Sequence, residues 1–380
     1  MKPLLAFLLL LTLVGCMAPV GTPAPDWGQD PVAIGHRLIA QAPPRDRMLW
    51  RYRVAAVALK HGQYAQARDL LDTALRAVER SHTFHTQARD ARGLFTSERA
   101  KVFLGEPYER AMAYYYRGIL YWMDGELDNA RACFRAGQYH DGDAADREHR
   151  GDWALLDYLD ALATAKLRGD AAPLLARARA HARLSSLRDL APKDNVLIFA
   201  QFGFGPLKRA SGPEGGRLVY TGGFADARAA LIRVNGRGVR VPLFDEVGWQ
   251  ARTRGRRQVA EVLDTKAAFK QSASRAGDLG LAGGSVLARA PQMRTAAVGL
   301  MAVGTGAKAV AGATQPRADT RTWDNLPQYI GFGSLRLPPG RHRATVDFVN
   351  AAGRVLADLR RQLEIEVKPR GDTVVFVADQ

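Results

Sequence analysis

The sequence predicts a multidomain α+β chain: a helical-repeat half, then a mixed half that ends in an antiparallel, sandwich-like sheet. Three observations carry that reading. Apolar residues recur at helical spacing from about residue 32 to about residue 190. Near Pro192 the texture changes to short apolar runs bounded by Pro and Gly, beginning with VLIFAQF at 196–202. Beyond Pro316 the alternation in RATVDF at 343–348 has period two, that of a strand with one buried face. The expected segments are 1–15 as a leader, 16–31 as a tether, 32–190 as the helical domain and 191–380 as the mixed domain, with a Gly/Ala-rich helical insertion at about 277–314.

Residues 1–15 read as a processing signal. Lys2 supplies its positive end, and the apolar run 4–14 is too short to span a bilayer as a helix. Leu13-Val14-Gly15-Cys16 resembles the lipobox of bacterial lipoproteins. The resemblance implies cleavage before Cys16, lipid on its thiol and an acyl chain on the new amino terminus, together enough for stable anchoring. Met17 stands where an Asp is the usual inner-membrane retention signal, so the expected address is the outer membrane, with the body in the periplasm. Residues 18–31 are rich in Pro and Gly and lack apolar period, so they are expected to be an extended tether.

Only two cysteines are present. With Cys16 lipidated, Cys133 has no intramolecular partner and reads as an inert core thiol. The chain carries 54 Lys and Arg against 38 Asp and Glu, a net charge of +16. In a periplasmic setting that excess faces headgroups, lipopolysaccharide and cell wall rather than nucleic acid. Most of it is scattered; Arg252, Arg254, Arg256 and Arg257 form the one tight cluster and the candidate polyanion site.

The helical half is built around 105–137. A stripe of Tyr114, Tyr115, Gly118, Tyr121 and Trp122 precedes Gly125, and Leu127, Ala130, Phe134 and Gly137 follow it. These are the small and large positions of a tetratricopeptide-like helix pair. Gly62, Tyr64, Ala67, Leu71 and Ala74 repeat the second set 63 positions earlier. A regular array repeats every ~34 residues, so 81–103 is surplus. A degenerate third pair is expected at 153–182, turning at 166–170, with Pro173 opening its second helix. So short an array is expected to lean on the next domain.

In the second half, Asn235-Gly236 predicts a hairpin turn between strands at 229–234 and 239–244. Helix is expected to return at 255–276. A hairpin at 328–349 and strands at 361–367 and 373–378 are expected to complete one face of a small sandwich.

The order of GEPYER at 105–110, GPLK at 205–208 and ADTRTWDNLP at 318–327 resembles a group of uncharacterised bacterial lipoproteins with a tetratricopeptide-like helical half and a mixed β half. The resemblance spans roughly 61–377. It implies architecture and address, and brings no activity with it.

No pattern on the chain calls for a catalytic or cofactor site, and none is expected. His82 and His85 lack the Glu and third ligand of a zinc hydrolase site. Asp141, Asp143 and Asp146 lack the spacing of a calcium loop. Gly203 and Gly205 lack the third glycine of a nucleotide loop, and no Gly-x-Ser-x-Gly occurs.

The expected function is therefore that of a lipid-anchored periplasmic scaffold or adaptor for other envelope proteins, not an enzyme. A polyanion binder and an envelope hydrolase or transferase without a recognisable motif are the rivals. The expected partner surface is the groove face bearing Glu106, Tyr108, Glu109, Arg110, Tyr114, Tyr115 and Tyr116. Tyr and Arg are common binding anchors. Three consecutive tyrosines on one helix diverge by about 100° each, so at least one is expected at a surface. Asp319, Arg321 and Trp323 are expected to form an inter-domain joint or, second, a partner surface.

Overall fold

The computed structural model describes residues 30–83, 102–142, 149–211, 217–253 and 319–380. The first half contains α1 (Pro31–Gln41), α2 (Arg47–Lys60), α3 (Tyr64–Thr83), α4 (Pro107–Met123), α5 (Leu127–Asp141), α6 (Ala154–Lys166) and α7 (Ala172–His181). Asp30 opens α1 by accepting from the Ala33 N–H at 3.0 Å, with Pro31 in the first turn. Consecutive helices pack on one another from α1 through α7.

Three helical hairpins, α2/α3, α4/α5 and α6/α7, share one turn. In the first, the N–H groups of His61, Gly62 and Gln63 return to Val57, Leu59 and Ala58. In the second, Asp124, Gly125 and Glu126 return to Leu120, Trp122 and Tyr121, and in the third Leu167, Arg168 and Gly169 return to Ala163, Ala165 and Thr164. The spacing of donors and acceptors is the same each time, satisfying carbonyls that a helix end leaves open. The left-handed residue is Gly62 (φ 71°), Gly125 (φ 82°) and, in the third turn, Arg168 (φ 63°). The third hairpin thus has the turn backbone of the other two with a different residue at the left-handed position.

The second half is organised by one seven-stranded sheet and a two-stranded ribbon. Its elements are β1 (Val196–Phe202), β2 (Phe204–Ser211), β3 (Arg217–Phe224), β4 (Ala229–Val234), β5 (Arg237–Glu246), α8 (Val247–Thr253), β6 (Tyr329–Leu335), β7 (Gly340–Val349), β8 (Arg361–Val367) and β9 (Thr373–Ala378). The sheet runs β8-β7-β4-β5-β6-β1-β9, and β2 pairs with β3. All neighbours are antiparallel except β1 and β9, which are parallel. The sheet is therefore mixed. Asn235 (φ 50°) and Gly236 (φ 77°) both take positive φ in the two-residue β4–β5 turn, as a type I′ hairpin requires.

The expected two-layer sandwich is replaced by one curled sheet. Phe202 on β1 and Phe348 on β7 lie four strands apart in the order, about 19 Å across a flat sheet at the usual strand spacing. Their ring centroids are 5.9 Å apart. The sheet has rolled up around Val196, Ile198, Ala200, Phe202, Ile232, Val241, Val346 and Phe348, which form a core of their own. Edge strands β8 and β9 meet where Thr373 donates to the Glu366 carbonyl and accepts from the Lys368 N–H.

The outer face of β1, β6 and β5 joins the helical core through Leu197, Phe199, Ile330, Phe332 and Phe244. β1 is consequently buried along its whole length. Helices α2 and α4 pack on β9, α4 also on α8, and α6 on β5. The face that the helices would offer as a groove is covered by the chain's own second half. No helix of the described residues is long and apolar enough to cross a membrane. The expected tether gives way to α1 at Asp30 and Pro31, two residues early; the leader, Cys16, the rest of the tether, residues 84–101 of the surplus, the expected helix 255–276 and the Gly/Ala-rich insertion lie outside the described residues.

Candidate functional site

The expected partner surface is interior. Glu106, Tyr108, Glu109, Arg110, Tyr114, Tyr115 and Tyr116 are all buried. One of three consecutive tyrosines must reach a surface only on a helix with a single buried face. Helix α4 is buried nearly all round, its Glu109, Arg110 and Arg117 included, because other elements pack on every side of it. Tyr114 stacks on His140 of α5 at 5.0 Å, Tyr115 packs on Phe199 of β1 at 6.3 Å, and Tyr116 meets Trp323 at 5.8 Å. The Tyr116 hydroxyl accepts from the amide of Gln201.

The three motifs GEPYER, GPLK and ADTRTWDNLP converge there. Glu109 lies in the first turn of α4, and its Oε2 accepts from the Glu106 N–H at 2.6 Å and from Lys208 Nζ at 2.6 Å. Its Oε1 accepts from the Trp323 N–H at 2.8 Å. The same ammonium donates to the Arg321 carbonyl at 2.9 Å and lies near the rings of Phe103 and Tyr108. Gly205 has no room for a side chain, because a Cβ would fall 2.8 Å from the Leu326 carbonyl that its own N–H bonds. The result is a fully buried ion pair with most of its polar capacity satisfied.

The segment 319–327 is sewn onto α2 at the edge of this cluster. Trp323 stacks on Tyr52 at 4.6 Å, and Arg53 binds Asp324 at 2.8 Å and the Thr322 carbonyl at 3.0 Å. Arg321 is held by Asp319 and by Asp46 at 2.8 Å. Asp319, Arg321 and Trp323 are thus placed between the two halves.

An open cleft lies elsewhere, between the segment that follows α7, the end of β5 and α8. It has a volume of about 220 Å³ and is lined by Arg183, Leu184, Phe244, Asp245, Glu246 and Trp249. Asp245 caps α6 from another element, accepting the Ala154 N–H at 3.2 Å and the Leu155 N–H at 2.8 Å. Burial pushes its carboxyl up to about 7, against the pull of those two N–H groups. Arg183 lies 4.4 Å over the Trp249 ring and donates twice to Asp152 at 3.1 Å. His149 is 3.6 Å from Asp152 and edge-on to Trp249.

Arg252 is committed to Glu246 at 2.6 Å, while Arg254, Arg256 and Arg257 lie outside the described residues. Asp141 accepts from the Trp153 indole at 2.8 Å and from the Gly151 N–H at 3.0 Å, a structural use of its carboxylate. Among the described residues, no group of His, Cys, Asp and Glu is arranged to hold a metal.

The sequence reading missed the Lys208–Glu109 pair and the cleft. The three motifs were the available signal for the pair; the cleft residues and their partners come from three separate stretches, near 150, 183 and 245, and carry no local signature. Comparison with protein-family models, with curated proteins and with solved structures gave no match.

Proposed function

We propose that the protein is a lipid-anchored adaptor of the bacterial envelope, tethered to the outer membrane through Cys16 and presenting a rigid body to another envelope protein in the periplasm. The helical half is read as a divergent tetratricopeptide-like array. The shared turns support this, as does the packing of Gly118 against Phe134, where a Cβ would sit 2.4 Å from the ring. The inner helical face is occupied by the chain's own sheet, so the partner surface moves to the β2–β3 ribbon.

One observation carries that placement. Phe204 and Phe224 sit directly opposite in the ribbon and remain 61% and 62% exposed. Aromatic rings paired across strands in this way are large, stiff contacts that water solvates poorly. They fit an apolar patch on a protein partner better than a polyanion.

The test is cross-linking in cells with a photoreactive residue at Phe224, beside one at buried Tyr115 and a Cys16→Ala version of each. A single protein captured from Phe224, absent from Tyr115 and lost with Cys16→Ala, is the expected result. Glycan or lipid captured from Phe224 would overturn the reading.

A further inference from the structure

We propose that the cleft at Arg183, Glu246 and Trp249 is a binding site for a small zwitterion of the α-amino-acid class bearing an apolar side chain. Opposite charges with unused capacity line one small cavity. Both terminal nitrogens of Arg183 go to a single oxygen of Asp152, and its Nε makes no hydrogen bond among the described residues. Glu246 receives Arg252 at 2.6 Å and Gln328 at 3.0 Å on Oε1 alone, and Oε2 accepts none among the described residues. The buried indole Nε1 of Trp249 also lacks a partner there, although buried polar atoms are nearly always satisfied.

Each charge is held in place by its own counter-ion, which orients the group without exhausting it. A ligand carboxylate takes Arg183, and a ligand ammonium takes Glu246. Leu184 and Phe244 supply apolar walls beside the Trp249 ring. At about 220 Å³ the cleft lies below the ~300–1,000 Å³ of drug-sized sites, which sets the ligand at one residue or little more. A simple anion would leave Glu246 facing it, and a simple cation would leave Arg183.

The experiment titrates the full-length chain with L-leucine, leucinamide and N-acetyl-leucine, read by calorimetry and tryptophan fluorescence. Leucine is expected to bind saturably, and each single-charge analogue about tenfold or more weaker, the loss of one charged hydrogen bond. Glu246→Gln and Arg183→Gln are expected to lose a similar factor. Leu184→Arg fills the cleft while leaving both ion pairs intact, and its unchanged melting temperature separates loss of binding from loss of fold. Absence of saturable binding by leucine, phenylalanine and methionine would overturn the assignment. So would equal binding of the three leucine forms, or undiminished binding by Leu184→Arg.

Discussion

Lys208 Nζ and Glu109 Oε2 meet at 2.6 Å with their side chains closed to solvent, one on the ribbon and the other in the first turn of α4. A buried pair of this kind is costly to break, because the remaining charge has no water to turn to. Lys208→Met is expected to cost about 3–5 kcal/mol, read as a fall in the urea midpoint. A loss under ~1 kcal/mol would mean that the carboxylate finds other compensation, such as a shifted proton.

The cap at Asp245 has a signed pH dependence. Its folded carboxyl titrates at about 7, above the roughly 3.9 of an unfolded Asp. Between those values the folded state holds a proton that the unfolded state has released, so this group's contribution falls as pH rises and levels off above 7. Asp245→Asn removes that dependence. Its stability relative to the parent is expected to rise from pH 5 to pH 7, by at most about 1.4 kcal/mol per unit, in parallel thermal melts. A flat difference would refute the assignment.

The third hairpin places Arg168, an exposed non-glycine residue, at φ 63°. A left-handed conformation costs an L-residue about 1 kcal/mol that glycine avoids. Arg168→Gly is therefore expected to raise stability by about 0.5–1 kcal/mol, whereas Gly125→Ala at φ 82° is expected to lower it. Calorimetric melting of the two variants checks the opposite signs.

Cys133 gives a chemical test of the same packing. It is buried on α5, and burial pushes its thiol up to about 12. In a Cys16→Ala chain it is the sole cysteine. A colorimetric disulfide reagent is expected to react with it only after denaturant is added, and prompt reaction in the native chain would contradict this packing.

These sites differ in how far the sequence announced them. Gly62 and Gly125 were legible because each occupies a backbone state that glycine tolerates best, and the second helix of each pair follows in register. The third turn was legible at 166–170 too, but Arg168 in the glycine position obscured its register, since a repeated conformation needs no repeated residue. Asn235-Gly236 was legible for the same local reason as the glycines. The burial of Tyr115 and Tyr116 was not, because it depends on Phe199, Phe376 and Trp323, which arrive from far along the chain. The curl of the sheet was equally hidden: period-two patterning says which face is apolar, not how far the sheet bends to enclose it. The cleft is assembled from residues near 150, 183 and 245, none of which stands out alone.

The position of β9 ties together parts of the chain that are far apart in sequence. It lies beside β1 and packs on α2 and α4, and Trp122 hydrogen-bonds Asp372 in the turn just before it. Lys60 donates to the side chain of Gln380, two residues beyond β9. Contacts between such distant parts of a chain are slow to form, because the intervening length must first be gathered in. Tyr116 of the central helix packs against Phe376 of β9, so part of that helix's cover comes from far along the chain. Removal of β9 would open one side of β1 and leave Tyr116 without the Phe376 ring.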